Sequence, residues 1–163
     1  MSISVFTTGG TIDKVYFDAN SSFEVGDSVM QELLKQARSE VAVSVTPLMA
    51  KDSLELTDLD RQTIRDAVAA CADDQIVITH GTDTMTDTAA VLADINGKTI
   101  VLTGSFSPAR FALTDAVFNV GLAFGAVQSK PAGVYIAMSG QVFAASTVYK
   151  DRQNQRFAPR EES

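Results

Sequence analysis

The chain is poor in the residues that build covalent and metal sites. A single cysteine, Cys71, excludes an internal disulfide and fits a reducing compartment. With only one histidine, His80, beside it, a structural zinc site lacks its ligands. Basic charge is scarce too: 13 lysines and arginines face 20 aspartates and glutamates, for a net charge of -7. Nucleic-acid binding needs basic clusters that displace counterions, and this field repels phosphate. The one loose basic group, Lys150, Arg152, Arg156 and Arg160, is interleaved with acids and reads as a solvated tail. No apolar run approaches the ~20 residues of a membrane-spanning helix. The first ten residues carry neither a basic region nor a long apolar core, so no secretory signal is expected. Chemistry here falls to hydroxyls, carboxylates, lysines and backbone amides, in a cytoplasmic protein with no metal and no cofactor.

What is present is a globular pattern. The chain has 163 residues, the length of one domain, and 45% of them are hydrophobic, too many for a disordered chain. Residues 3–7 and 41–45 read as strands. Gln75–Thr79, Thr99–Thr103 and Gly133–Met138 are continuous apolar runs of the kind buried on both faces. Helical spacing appears between them: Met30, Leu33, Leu34 and Ala37; Ile64, Ala67, Val68 and Cys71, started by Thr57 or Asp58; and Met85, Thr88, Ala89 and Leu92, with Thr84 and Asp87 resembling a capping box. Residues 116–127 are apolar nearly all round, broken by Asn119, and need cover on several sides, from a second subunit or from the interior. The alternation predicts a single α/β domain, doubly wound, with a mainly parallel sheet and helices on both faces. Residues 1–150 make this domain and 151–163 a polar carboxyl-terminal tail.

In such a sheet, ligands bind beyond the carboxyl ends of the strands. Four strands end in hydroxyl- and glycine-rich segments: Thr7-Thr8-Gly9-Gly10-Thr11, Thr79-His80-Gly81-Thr82-Asp83-Thr84, Thr103-Gly104-Ser105 and Ser139-Gly140. Parallel strands bring them to one edge. Glycine lets backbone amides approach a ligand, and threonine offers a nucleophile or hydrogen-bond donor. Gly97-Lys98-Thr99 imitates the end of a phosphate-binding loop but lacks its earlier glycine. His80 reads as a structural histidine near a strand end, and Cys71 as core.

Thr7-Thr8-Gly9-Gly10-Thr11-Ile12 and His80-Gly81-Thr82-Asp83-Thr84-Met85 resemble the two signature motifs of the bacterial-type L-asparaginase/glutaminase family. Asp52-Ser53, Thr103-Gly104-Ser105 with Asp115, and Val148-Tyr149-Lys150 fall in register with the same family. The resemblance covers the family's amino-terminal catalytic domain and implies hydrolysis of a side-chain amide, with L-asparagine as substrate and a homo-oligomer, dimer or tetramer, as the working form. It implies Thr11 as loop nucleophile, helped by Tyr16, and a second centre of Thr82, Asp83 and Lys150. Whether Thr11 attacks or Thr82 and Lys150 activate water stays open. It further implies Asp83 as the group that binds the α-ammonium and Ser53 as the one that binds the α-carboxylate. Amides near Gly10, Thr11 and Thr82 are candidates for the oxyanion. In the family an acidic residue from a neighbouring subunit's carboxyl-terminal domain completes the ammonium pocket. Without it, Glu161, Glu162 or Asp13 would have to substitute, and a high KM for free asparagine is expected. Activity on glutamine or another amide, or amino-acid binding without turnover, are the alternative functions.

Overall fold

The apolar runs become the centre of a sheet. The computed structural model describes residues 1–17 and 22–161. Its strands in chain order are β1 (Ser2–Gly9), β2 (Lys14–Phe17), β3 (Ser22–Val25), β4 (Ala42–Lys51), β5 (Gln75–Thr79), β6 (Thr99–Thr103), β7 (Gly133–Met138), β8 (Gln141–Ala144), β9 (Val148–Asp151) and β10 (Arg156–Pro159). The helices are α1 (Met30–Gln36), α2 (Asp58–Ala70), α3 (Met85–Val91) and α4 (Ala116–Ser129). Six strands form one sheet in the order β4-β1-β5-β6-β7-β8. All neighbours in it are parallel except β7 and β8.

Strand alternation divides the core into two layers. On β5 and β6, Val77 and Val101 point to one face with Ile3 and Val5, where α1 (Met30, Leu33) and α4 (Val120, Ala123, Val127) cover them. Ile76, Ile78, Ile100 and Leu102 point to the other, under α2 (Ile64, Val68) and α3 (Met85, Ala89). The expected mainly parallel sheet with helices on both faces is the observed one.

Local chemistry sets the helix ends. Thr57 caps α2 through a capping box: its Oγ1 accepts from Asp60 N at 3.2 Å, and Asp60 Oδ2 accepts from Thr57 N at 2.8 Å. The box expected at Thr84 and Asp87 does not form. Thr84 Oγ1 instead donates to the Ser53 carbonyl at 2.8 Å, docking the start of α3 on the turn that follows β4. In α4 one face is buried, but Val117 and Phe118 are 55% and 65% exposed, so the described residues do not give the helix all-round cover. Asn119, the polar break in that helix, is fully buried and joins two strand ends: its Nδ2 donates to Gly104 O at 3.0 Å and its Oδ1 accepts from Ser139 N at 2.9 Å.

Two hairpins lie outside the expected alternation. Tyr16 faces Phe23 across β2 and β3. The segment expected as a polar tail instead pairs back on the chain as β9–β10, because Phe157 is buried in the second core layer.

Candidate active site

The chain runs from β1 out to β4 on one side and then back to β5 on the other. The carboxyl ends of β1 and β5 are thus the switch point where a crevice opens. Both ends carry glycines because their backbones touch. A Cβ on Gly10 would lie 2.4 Å from Gly81 N, and one on Gly81 would lie 2.6 Å from the Ser53 side chain. Gly10 also has φ +86°, a conformation open to glycine. Its N–H donates to Lys51 O at 2.9 Å, so that amide is engaged by protein and Gly10 contributes room rather than an oxyanion donor. Thr8 Oγ1 donates to Thr79 O at 2.8 Å and ties the two strand ends together.

Beyond this junction, Thr11, Thr82, Asp83, Phe106, Lys150, Arg152 and Gln155 line one cavity of about 300 Å³. Lys150 Nζ donates to Thr82 Oγ1 and to Asp83 Oδ1, both at 2.7 Å. It also sits 5.6 Å from the centre of the Phe106 ring, within cation–π range. Cavities of about 380 Å³ beside α3 and about 400 Å³ beside β4 are larger. Neither brings hydroxyls and a lysine together, so chemistry and not size selects the site.

Four of the expected residues, Thr11, Thr82, Asp83 and Lys150, therefore converge. Three others do not line this cavity. Tyr16 is 55% exposed on the β2–β3 hairpin and packs edge-on against Phe23 at 5.5 Å. Ser53 is 2% exposed, packed beneath Gly81. Gly10 lies below the Gly81 backbone. Arg152, Gln155 and Phe106 enter unannounced by sequence. Arg152 stands two residues beyond Lys150, in the turn after β9.

The acidic substitutes are placed as follows. Asp13 is buried beside β4, in the cavity that Thr7 and Ser28 line, and does not reach Lys150's cavity. Glu161 is exposed near the chain end, and Glu162 lies outside the described residues. Among the described residues no cluster could hold a metal ion, and no helix is long and apolar enough to cross a membrane. Lys98, of the loop that imitates a phosphate site, donates to the carbonyls of Cys71 and Asp73 at 2.7 and 2.8 Å.

His80 is fully buried between two partners. The Gly81 carbonyl can only accept, so Nδ1 carries the proton at 2.7 Å and Nε2 accepts from Thr88 Oγ1 at 2.7 Å. Burial pushes its pKa from 6.5 down to about 4. Burial also pushes Asp13 from 3.8 up to about 6, against the opposing Val29 N–H and the Arg110 guanidinium. These shifts have opposite consequences. Stability from neutral His80 is complete above its unfolded value and is lost as pH falls toward 4, by about 3 kcal/mol. The folded state takes up the Asp13 proton first, so it gains about 2 kcal/mol as pH falls from 6 to 4. The two offset in that window. Asp13→Asn should uncover the histidine, with unfolding free energy by denaturant titration falling about 3 kcal/mol between pH 6.5 and 4. Parallel profiles for variant and parent would contradict this.

An α/β domain with a hydroxyl- and lysine-lined crevice at its switch point is the class of molecule these observations define. Residues 2–159 match the family model described as asparaginase, N-terminal, and the chain belongs to that family. L-asparaginase 1 of Escherichia coli (strain K12) is 33% identical over 130 residues, which cover 73% of this chain and 38% of the relative. A glutaminase-asparaginase of Acinetobacter glutaminasificans is 39% identical over 101 residues, 59% of this chain and 30% of the relative. The thermostable L-asparaginase from Thermococcus kodakarensis superimposes with a TM-score of 0.82 at 26% identity, covering 98% of this chain and 51% of that one. The chain spans about half, or less, of the length of the relatives it matches.

Proposed function

We propose that this domain hydrolyses the side-chain amide of L-asparagine to L-aspartate and ammonia. The reading is carried by one observation: Lys150 Nζ lies 2.7 Å from both Thr82 Oγ1 and Asp83 Oδ1, in a cavity that Thr11 also lines. Thr11 Oγ1 adds to the amide carbon, the C–N bond breaks, and ammonia leaves with the hydroxyl proton. Water then cleaves the resulting ester, freeing the threonine and the carboxylate. Thr82 with Lys150 handles the proton in each half. Asp83 faces the substrate's α-ammonium. Ser53 supports the backbone at Gly81 from below, and Tyr16 takes no part in the arrangement described.

Ammonia release from L-asparagine and L-glutamine by the purified chain tests this, with asparagine expected to be the better substrate. No ammonia from either, with thermal stabilisation by L-aspartate, would leave a binding domain instead. The working form is proposed as a homo-oligomer, supported by the exposed Val117 and Phe118 on the outer face of α4. Light scattering giving a 17.4 kDa particle would remove that part. A cytoplasmic setting is supported by the single unpaired cysteine, Cys71, and by a structural neighbour named as a probable cytoplasmic L-asparaginase from Campylobacter jejuni. A relative from Haemophilus influenzae is named as a probable periplasmic one.

A further inference from the structure

Lys150 is the penultimate residue of β9, Asp151 ends the strand, and Arg152 opens the turn to β10. Arg152 lines the same cavity as Lys150. Asp151 fixes this turn: its Oδ1 accepts from Asn154 N at 3.2 Å, and its Oδ2 accepts from Asn154 Nδ2 at 2.7 Å and Arg156 Nε at 3.3 Å. Gln155, with φ +48°, closes the turn and lines the cavity. Arg152 thus reaches Asp83 from the rim. Its Nε lies 3.8 Å from Asp83 Oδ1, and its Nη2 donates to the Asp83 carbonyl at 3.4 Å.

One carboxylate oxygen therefore faces two cations, because Lys150 holds the same Oδ1. A substrate α-ammonium arriving at Asp83 is a third positive charge. A substrate carboxylate in the same cavity is drawn by the excess of positive charge. We infer that Arg152 is a specificity-determining residue, which competes with the substrate's ammonium for Asp83 and favours amides that carry a carboxylate but no free α-ammonium. The substrate class is the half-amide of a simple dicarboxylic acid, with succinamate as the des-amino counterpart of asparagine. The inference rests on the amide-hydrolase reading given above.

Steady-state ammonia release from L-asparagine and from succinamate, by the full chain and by Arg152→Gln and Arg152→Lys, tests it. In the parent, kcat/KM for succinamate should equal or exceed that for L-asparagine. The Arg152 side chain is 65% exposed, so each effect is modest. Arg152→Gln should lower KM for asparagine about three- to ten-fold and raise it for succinamate, the change falling on KM rather than kcat. Arg152→Lys should keep the parental preference. A preference that stays within about twofold in Arg152→Gln, or a rise in KM for asparagine, overturns the inference. Calorimetric titration with succinate and L-aspartate separates it from the reading beneath it. Succinate should bind the parent at least as tightly, and Arg152→Gln should reverse the order. If the order reverses but no amide is hydrolysed, the amide-hydrolase reading fails and the role of Arg152 stands. If neither acid binds, or the order is unchanged, the role of Arg152 falls.

Discussion

Lys150→Met should lower kcat/KM for ammonia release from L-asparagine by ~10² to 10⁴-fold, and Thr82→Ala and Thr11→Ala should do the same. The methionine keeps most of the lysine stem against Phe106 but removes the group that holds Thr82 Oγ1 and Asp83 Oδ1. Because Thr82 and Lys150 share one hydrogen bond, they act as a unit. The double variant Thr82→Ala, Lys150→Met should therefore lose little more than either single one. Thr11 enters from a different strand end, and its loss should be as severe because it makes the new bond. The ammonia assay decides each role separately. Near-parental turnover by any of these variants would take that residue out of the reaction.

Gly10→Ala should be strongly destabilising. The added methyl would lie 2.4 Å from Gly81 N and 2.5 Å from its Cα, which is backbone against backbone and cannot swing away. The residue's φ of +86° adds strain for any side chain. A loss of roughly 3–5 kcal/mol is expected, or a fall of about 10–15 °C in Tm for a chain of this size. Gly125→Ala is the contrast, since nothing lies within 4 Å of its Cβ position in the middle of α4. That change should raise stability by about 0.5–1 kcal/mol, through helix propensity alone. Thermal unfolding of the two variants beside the parent measures both. A Gly10→Ala protein that melts with the parent would show that the two strand ends can part.

The parts of the fold legible in sequence were those driven by burial. Gln75–Thr79, Thr99–Thr103 and Gly133–Met138 are apolar on both sides because both sides are covered, and their bounds were readable to the residue. The two hairpins were not. β2 and β3 have mixed, half-exposed side chains, and β9–β10 is anchored by Phe157 among polar neighbours. Such strands hold by pairing with each other, and pairing leaves no apolar period to find. The site divided along the same line. Thr11, Thr82 and Asp83 follow strand ends whose meeting could be inferred from sheet topology. Lys150 was placed by family likeness alone, since a distance across 68 positions leaves no local trace. Arg152 reads in sequence as a solvated charge, because no apolar period marks Val148–Asp151 as a strand. Asn119 looked like a flaw in an apolar helix and proved to be a clasp between β6 and β7.

The glycine contact at the crevice floor divides what natural variation can reach. Thr11 and Thr82 each follow a glycine, Gly10 and Gly81, whose backbones pack against each other with no room for a side chain on Gly10, so their separation is set by the meeting of two strand ends. The opposite wall hangs on a four-residue surface bend, 152–155, whose side chains are largely in water and can be exchanged with little penalty to folding. New preferences among amides should therefore accumulate on that bend, leaving the reacting alcohols where they are.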